Sequence, residues 1–256
     1  MFLQLDSDIT LHYQLIEGDP AKPHLVFLHE GLGSIAQWKG FPEKLCEATG
    51  HPGLVYDRQG YGLSSALTKK RSIHYLHDYA LKELPEVLTA VLGNKEYMLI
   101  GHSDGGSISL IAAAEQDVRL KGVITQAAHV FVESETLKGI AVAQQAWQAG
   151  KLQGLNKYHA EKTEQIFNAW AQTWEQPWFH RWNIEYLLAS IQVPTLVMQG
   201  EQDQYGSYKQ VECIAHNVLN GRSMMLQECG HIPHLEAPQA TLAGMCEFIR
   251  YHCCSV

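Results

Sequence analysis

The stretch Tyr97-Met98-Leu99-Ile100-Gly101-His102-Ser103-Asp104-Gly105 runs an apolar segment straight into a Gly-x-Ser-x-Gly pentapeptide. The helix-forming segment Ile108-Ser109-Leu110-Ile111-Ala112-Ala113-Ala114 follows almost at once. No other feature constrains the fold as strongly. A strand that turns sharply into a helix at a serine leaves no room for a Cβ where strand and helix crowd each other, and Gly101 and Gly105 meet that need. Such a turn presents the Ser103 hydroxyl at the end of a sheet, just ahead of a helix N-terminus whose unpaired N–H groups favour developing negative charge. His102 and Asp104 flank the serine, but residues one step along the chain point elsewhere. A base and an acid for Ser103 must come from distant sequence.

Around this turn, short β-rich runs alternate with helical ones. His24–Leu28, Gly53–Tyr56, the run ending at Ile100, Gly122–Thr125, Thr195–Met198 and Ser223–Leu226 read as strands. Segments near 42–48, within 72–92, after Ser103, near 208–219 and from about 238 to 252 read as helices. Strands alternating with helices imply βαβ units and an α/β fold with a mostly parallel central sheet flanked by helices. Phe2–Leu5 and Ile9–Leu15 read as an antiparallel edge.

Between about residues 128 and 190 the short strand runs vanish and Ala, Gln and Glu take over. This segment holds Trp147, Trp170, Trp174, Trp178 and Trp182, five of the chain's six tryptophans. It reads as a helical insert, dividing the chain into a core of residues 1–128 and 190–256 and a helical cap of residues 129–189. Trp170, Trp174 and Trp178 stand four residues apart, with Pro177 set to end the helix before the third. The stripe can pack the insert onto the core, wall a ligand pocket, or do both.

The 256 residues, 46% hydrophobic and 18% charged, suffice for one α/β domain with a sizeable core, and the formal charge of −8 argues against nucleic acid or an anionic membrane as a partner. The opening residues carry acids and alternating polarity where a signal peptide carries basic residues and a continuous apolar run, so a cytoplasmic location is expected. The one local basic run, Lys69-Lys70-Arg71, reads as a solvated loop. Cys46, Cys213, Cys229, Cys246, Cys253 and Cys254 show no C-x-x-C spacing and read as free thiols. His231-x-x-His234 lacks the spacing and flanking ligands of a zinc site, and neither a metal nor a cofactor is expected.

Two later turns supply distant partners for Ser103. Gly200-Glu201-Gln202-Asp203 follows the strand at 195–198, where a parallel sheet places its functional loops. Glu228-Cys229-Gly230-His231-Ile232-Pro233-His234 follows the next strand. Asp203 has Glu201 as a rival acid, and His231 has His234 as a rival base. From end to end the chain resembles the α/β-hydrolase fold superfamily, whose triad runs in the order Ser, Asp or Glu, His. The motifs are GHSDGG, GEQD and GHIPHLEAP, together with LHEGLGSIAQW, similar to the oxyanion loop, and VYDRQGYGLS, similar to the structural D-x-R-G-x-G-x-S turn.

The resemblance implies that Ser103 is a nucleophile, His231 its general base and Asp203 the acid that orients the imidazole. It also implies an oxyanion hole made by the backbone N–H of Asp104 and of Gly31, with Glu30 and Leu32 as neighbouring candidates. The expected activity is a serine hydrolase acting on a small-molecule substrate, a small carboxylic ester, through an acyl-enzyme. Cleavage of ring-cleavage products at a C–C bond, lactone hydrolysis, and a non-catalytic ligand receptor of the same fold stand as alternatives. The sequence departs from the family at Glu30, where glycine is common, and carries a second acid at Asp104. Two carboxylates beside an oxyanion site oppose developing negative charge unless paired. Arg58 is the expected partner for one of them, and the N–H groups of its own helix are the other expected partners for Asp104.

Overall fold

The computed structural model describes residues 1–5 and 8–253. Eight strands form one sheet: β1 (Phe2–Gln4), β2 (Thr10–Ile16), β3 (His24–Leu28), β4 (Gly53–Tyr56), β5 (Tyr97–His102), β6 (Leu120–Gln126), β7 (Thr195–Gly200) and β8 (Gly221–Leu226). They lie in the order β1-β2-β4-β3-β5-β6-β7-β8. β1 and β2 pair antiparallel, β2 joins β4 antiparallel, and every later pairing is parallel. The antiparallel edge and the parallel interior thus stand where the residue pattern places them. All residues of β3, β4, β5 and β7 are buried, as expected for parallel strands covered by helices on both faces.

One face carries α1 (Phe41–Thr49) and, at the chain's end, α11 (Pro238–Cys253), after the single turn α10 (Pro233–Glu236). Phe41, Leu45, Met245, Phe248 and Ile249 pack there against Phe27, Val55 and Met198. The other face carries α2 (Tyr75–Asp78), α3 (Leu84–Leu92), α4 (Asp104–Ala113) and α9 (Tyr208–Asn217). The run read from sequence as a single helix within 72–92 is divided. Between α2 and α3, residues Tyr79–Glu83 form a π turn in which the Leu84 N–H reaches the Tyr79 carbonyl. Pro85, with no N–H to offer the preceding turn, is the local cause.

Between β6 and β7 lie α5 (Ser134–Gln148), α6 (Asn156–His159), α7 (Thr163–Glu175) and α8 (Glu185–Leu188), joined by 3₁₀ turns. α7 ends two residues before Pro177, which leaves Trp178 off the helix and 42% exposed. The loop after β3 is tied to this segment by His159, whose Nε2–H donates to the Leu32 carbonyl at 2.8 Å while its Nδ1 accepts the Gly62 N–H at 3.0 Å. Cys46, Cys213, Cys229 and Cys246 are free thiols. The Cys253 side chain and Cys254 lie outside the described residues. Among the described residues no helix is long and apolar enough to cross a membrane.

Candidate active site

β5 ends at His102 and α4 begins at Asp104, so Ser103 alone makes the turn, at φ 51° and ψ −115°. A serine held there costs on the order of 1–3 kcal/mol, which surrounding contacts must offset. The Ser103 N–H donates to the Gln126 carbonyl at 2.8 Å, and the Ser103 carbonyl accepts the Ser107 N–H at 3.0 Å. A Cβ at Gly101 would fall on the Gly105 carbonyl, and one at Gly105 on the Leu28 carbonyl, so both glycines are required by close backbone approach.

The loops after β7 and β8 bring two side chains to this hydroxyl. His231 Nε2 stands 3.0 Å from Ser103 Oγ, and His231 Nδ1 stands 2.8 Å from Asp203 Oδ1. The same Oδ1 accepts the N–H groups of Tyr205 at 2.8 Å and Gly206 at 3.3 Å. Burial by itself pushes the Asp203 carboxyl up, but the imidazole beside it and these hydrogen bonds outweigh burial and hold it below the usual carboxylate range. An ionised Asp203 takes the Nδ1–H, which leaves Nε2 bare toward the serine hydroxyl.

The imidazole is fixed from several sides. His102 donates from Nε2 to the His231 carbonyl at 2.7 Å, and Glu236 accepts the Gly230 and Ile232 N–H groups at 2.7 and 2.9 Å. The Tyr205 ring lies 4.7 Å from the imidazole, and its carbonyl accepts from His129 at 3.0 Å and Thr136 at 2.6 Å. The rivals are not brought to the serine. Glu201 is exposed. His234 is buried against Trp38, donates to Gln126 Oε1 at 3.1 Å, and is pushed down to about 3 by burial and by His231.

On the other side of Ser103, Gly31 and Asp104 line a shared cavity, and among the described residues neither backbone N–H has an acceptor within the protein. The Asp104 carboxylate finds neither partner expected from sequence. Among the described residues no backbone N–H of its own helix donates to it. Instead Tyr75 donates its hydroxyl to Asp104 Oδ2 at 3.0 Å, and that hydroxyl accepts the Trp174 Nε1–H at 3.0 Å. Arg58 is fully buried and has no carboxylate within ion-pair distance among the described residues. Its guanidinium lies over the rings of Tyr61 and Tyr79, at 4.9 and 5.0 Å, and donates to the Glu30 carbonyl at 2.9 Å. The expected ion pair is replaced by aromatic stacking and a hold on the backbone of the loop after β3. The Glu30 carboxyl faces the cavity without an ion-pair partner. Burial pushes it up to about 7, against the pull of Arg58 and His231 and with a further push from Asp104.

The cavity measures about 560 Å³. Ser103, His231, Gly31 and Glu30 form one side of it, and Ile140, Ala143, Ala146, Leu152, Leu155, Trp170 and Trp174 form an apolar wall from the segment between β6 and β7. The tryptophan stripe divides. Trp170 and Trp174 line the cavity, Trp174 also donates from Nε1 to the core residue Tyr75, and Trp178 is exposed and does not line it; outside the stripe, Trp147 stacks on Phe167 at 4.3 Å and Trp182 on Phe179 at 5.6 Å. Tyr75, His129 and Tyr205 escape sequence reasoning. They touch the site through contacts of long sequence separation or through the backbone, and no local pattern marks them.

A profile of the alpha/beta hydrolase fold family matches residues 23–177, more than half of the chain. A 2-succinyl-6-hydroxy-2,4-cyclohexadiene-1-carboxylate synthase of Escherichia coli O8 is 24% identical over 278 aligned positions, covering 95% of this chain and all of that protein. A proline iminopeptidase of Saccharolobus solfataricus is 32% identical over 116 residues, covering 45% of this chain and 36% of that protein. The synthase of Salmonella paratyphi C is matched over 59% of its length and 64% of this chain at 26% identity. An esterase of Thermogutta terrifontis superposes with a TM-score of 0.76 at 18% identity, covering 98% of this chain and 97% of the other. The enol-lactonase of Burkholderia xenovorans LB400 superposes with a TM-score of 0.74 at 18% identity, covering 95% and 97%. Family profile and fold agree: the chain belongs to the alpha/beta hydrolase fold family.

Proposed function

We propose that the chain is a serine hydrolase that cleaves a small, uncharged carboxylic ester through an acyl-enzyme on Ser103, with His231 as base and Asp203 as its orienting acid. The observation that carries this reading is the unbroken line from Ser103 Oγ through His231 to Asp203, at 3.0 and 2.8 Å, beside a largely apolar cavity. In the first half-reaction His231 Nε2 takes the hydroxyl proton as Ser103 Oγ bonds to the acyl carbon. The carbonyl oxygen gains the negative charge, and the open N–H groups of Gly31 and Asp104 face it. Collapse of this intermediate breaks the bond to the alcohol, which leaves with the proton from His231. Water then repeats the sequence and frees the acid. None of these steps requires a cofactor.

The helical segment of residues 129–189 acts in this reading as a cap over residues 1–128 and 190–256, setting the acyl pocket through Trp170 and Trp174. The charge beside the serine selects among substrates. Asp104 and Glu30 both line the cavity, and a substrate with its own carboxylate beside the scissile bond would be repelled, more strongly as pH rises through about 7 and Glu30 ionises. Neutral esters and lactones share the same chemistry and differ in whether the leaving alcohol stays tethered. The relatives named a lactonase and an esterase keep the lactone reading in view.

Turnover on p-nitrophenyl esters of increasing chain length, beside a neutral lactone and a vinylogous ring-cleavage diketone, tests the proposal. Ester turnover that disappears in Ser103→Ala is the expected result. Preference for the diketone would replace the ester reading with C–C-bond cleavage, and silence on the whole panel would favour a receptor.

A further inference from the structure

α7 presents two faces. Trp170 and Trp174 line the reaction cavity. Gln165, Asn168, Gln172 and Gln176, spaced three or four residues apart on another face, line a second cavity of about 490 Å³ whose remaining wall is the loop Leu67–Arg71. The chain carries a net charge of −8, yet no Asp or Glu lines this second cavity, whereas Lys69, Lys70 and Arg71 do.

Lys69 and Lys70 are exposed, but Arg71 is held differently. Its guanidinium lies over the Tyr75 ring, 4.4 Å from the centroid, and its Nη2 donates to the Tyr61 hydroxyl. Nε and Nη1 are buried without an acceptor, and among the described residues no carboxylate stands within ion-pair distance. A neighbouring cavity that Arg71 also borders carries Asp78, Glu83 and Glu86, and none of them reaches it. Arg58 leaves the same two donors unmet under aromatic rings, but of the two only Arg71 borders a cavity, and it does so beside Lys69 and Lys70. Gln165 already donates one amide N–H to the Leu67 carbonyl at 3.1 Å, and the planar guanidinium, two lysines and the remaining amide donors form a set suited to an oxyanion of more than one charge.

We propose that the cavity between α7 and the Leu67–Arg71 loop binds the phosphate group of a small molecule. Arg71 supplies the inner charge, Lys69 and Lys70 the outer charges, and Gln172 with its neighbours on α7 neutral donors. This is a site separate from the one at Ser103, and the binding claim does not depend on which reaction Ser103 performs. The two are nonetheless connected: Tyr75, under the guanidinium, donates to Asp104 and accepts from Trp174. A ligand that draws on Arg71 therefore acts on groups beside the nucleophile and in the wall of the reaction cavity.

Isothermal titration of the full chain at constant ionic strength tests the site, with inorganic phosphate, glycerol phosphate, sulfate and acetate as probes over a chloride background. One saturable site is expected, tightest for the two phosphates and weakest for acetate. A tighter fit for glycerol phosphate assigns an ester ligand, and a tighter fit for inorganic phosphate the free ion. Gln172→Glu, which puts an acid at an exposed position on the cavity wall, and Lys69→Gln with Lys70→Gln should each weaken binding at least ten-fold. Ser103→Ala should leave it unchanged. Absence of saturable binding overturns the proposal. So does phosphate binding that survives the three surface changes, or that is lost with Ser103, because the anion would then sit elsewhere.

Discussion

Two loops of the molecule each bring a carboxylate near His231, and they treat it in opposite ways. The turn after β7 gives Asp203 the imidazole N–H and two backbone N–H groups, and the carboxyl is held below its ordinary range despite burial. The loop after β3 gives the Glu30 carboxyl only its own backbone N–H, too little to offset burial, which raises it to about 7. Burial alone therefore does not decide the charge of an acid in this site; the supply of hydrogen-bond donors does. One carboxylate is held as an anion against the His231 imidazole, and the other is raised toward neutrality beside the cavity that Ser103 lines.

The largest effect falls on the first of these loops. Asp203→Asn should leave Ser103 and His231 in place and lower kcat by on the order of 10⁴, because the amide cannot hold the imidazole in the productive tautomer. Stopped assays on a p-nitrophenyl ester measure it directly, with circular dichroism to show that the fold persists. Next comes a contrast within the wall facing the serine. Trp174 is 2% exposed and packs on Phe179 and Trp182, so Trp174→Ala should cost about 3–5 kcal/mol in urea unfolding. Trp170→Ala should instead shift the preferred acyl chain length, with kcat/KM for longer esters rising about ten-fold relative to short ones. If both changes merely destabilise, the stripe is packing alone.

A smaller, pH-dependent effect belongs to Glu30. With its carboxyl raised to about 7, the wild-type side chain is neutral at pH 5.5 and charged at pH 8.5. Glu30→Gln should match wild type at the lower pH and exceed it by about 5-fold at the higher, where the charge opposes the oxyanion by on the order of 1 kcal/mol. Stability follows the same sign. A carboxyl raised on folding contributes fully below its unfolded value and loses that contribution as pH rises from there through about 7, so the variant gains in Tm over wild type across that window and keeps the gain above it. A constant ratio of rates across pH would show that Glu30 does not face the reacting atoms. The smallest effect is expected at Glu201. Exposed and away from the imidazole, Glu201→Gln should change turnover less than 2-fold, and a larger loss than that of Asp203→Asn would reassign the acid.

The sheet, its order of helices and the three turns around Ser103 were legible because each rests on local sequence: apolar runs of strand length, glycines at one crossing, and polar loops after strand ends. Strand β3 falls at His24–Leu28 and β4 at Gly53–Tyr56, where the apolar runs lie. The Asp203–His231 pair follows from the motif order, but the partners of Arg58 and Asp104 were not legible. Arg58 and Asp104 both fall in recognised motifs, yet Arg58 settles over Tyr61 and Tyr79, and Asp104 takes a hydroxyl from Tyr75, 29 residues away in the chain. Such choices are made by packing between helices, which no motif records. The π turn at Tyr79–Glu83 was hidden for a related reason, since Pro85 marks a disturbance without saying how the backbone absorbs it. Which tryptophans face the cavity depends on how α5 and α7 pack together, a relation periodicity within either helix does not contain.

The central claim is that Ser103 forms a covalent acyl intermediate with His231 as its base. Intact-mass analysis after reaction with a fluorophosphonate, followed by peptide mapping, tests it most directly. The account predicts a single adduct on the peptide containing Ser103, formed at a rate that collapses in His231→Ala and absent in Ser103→Ala. An adduct on another serine such as Ser64 or Ser107, or labelling of Ser103 that is indifferent to His231, would contradict it.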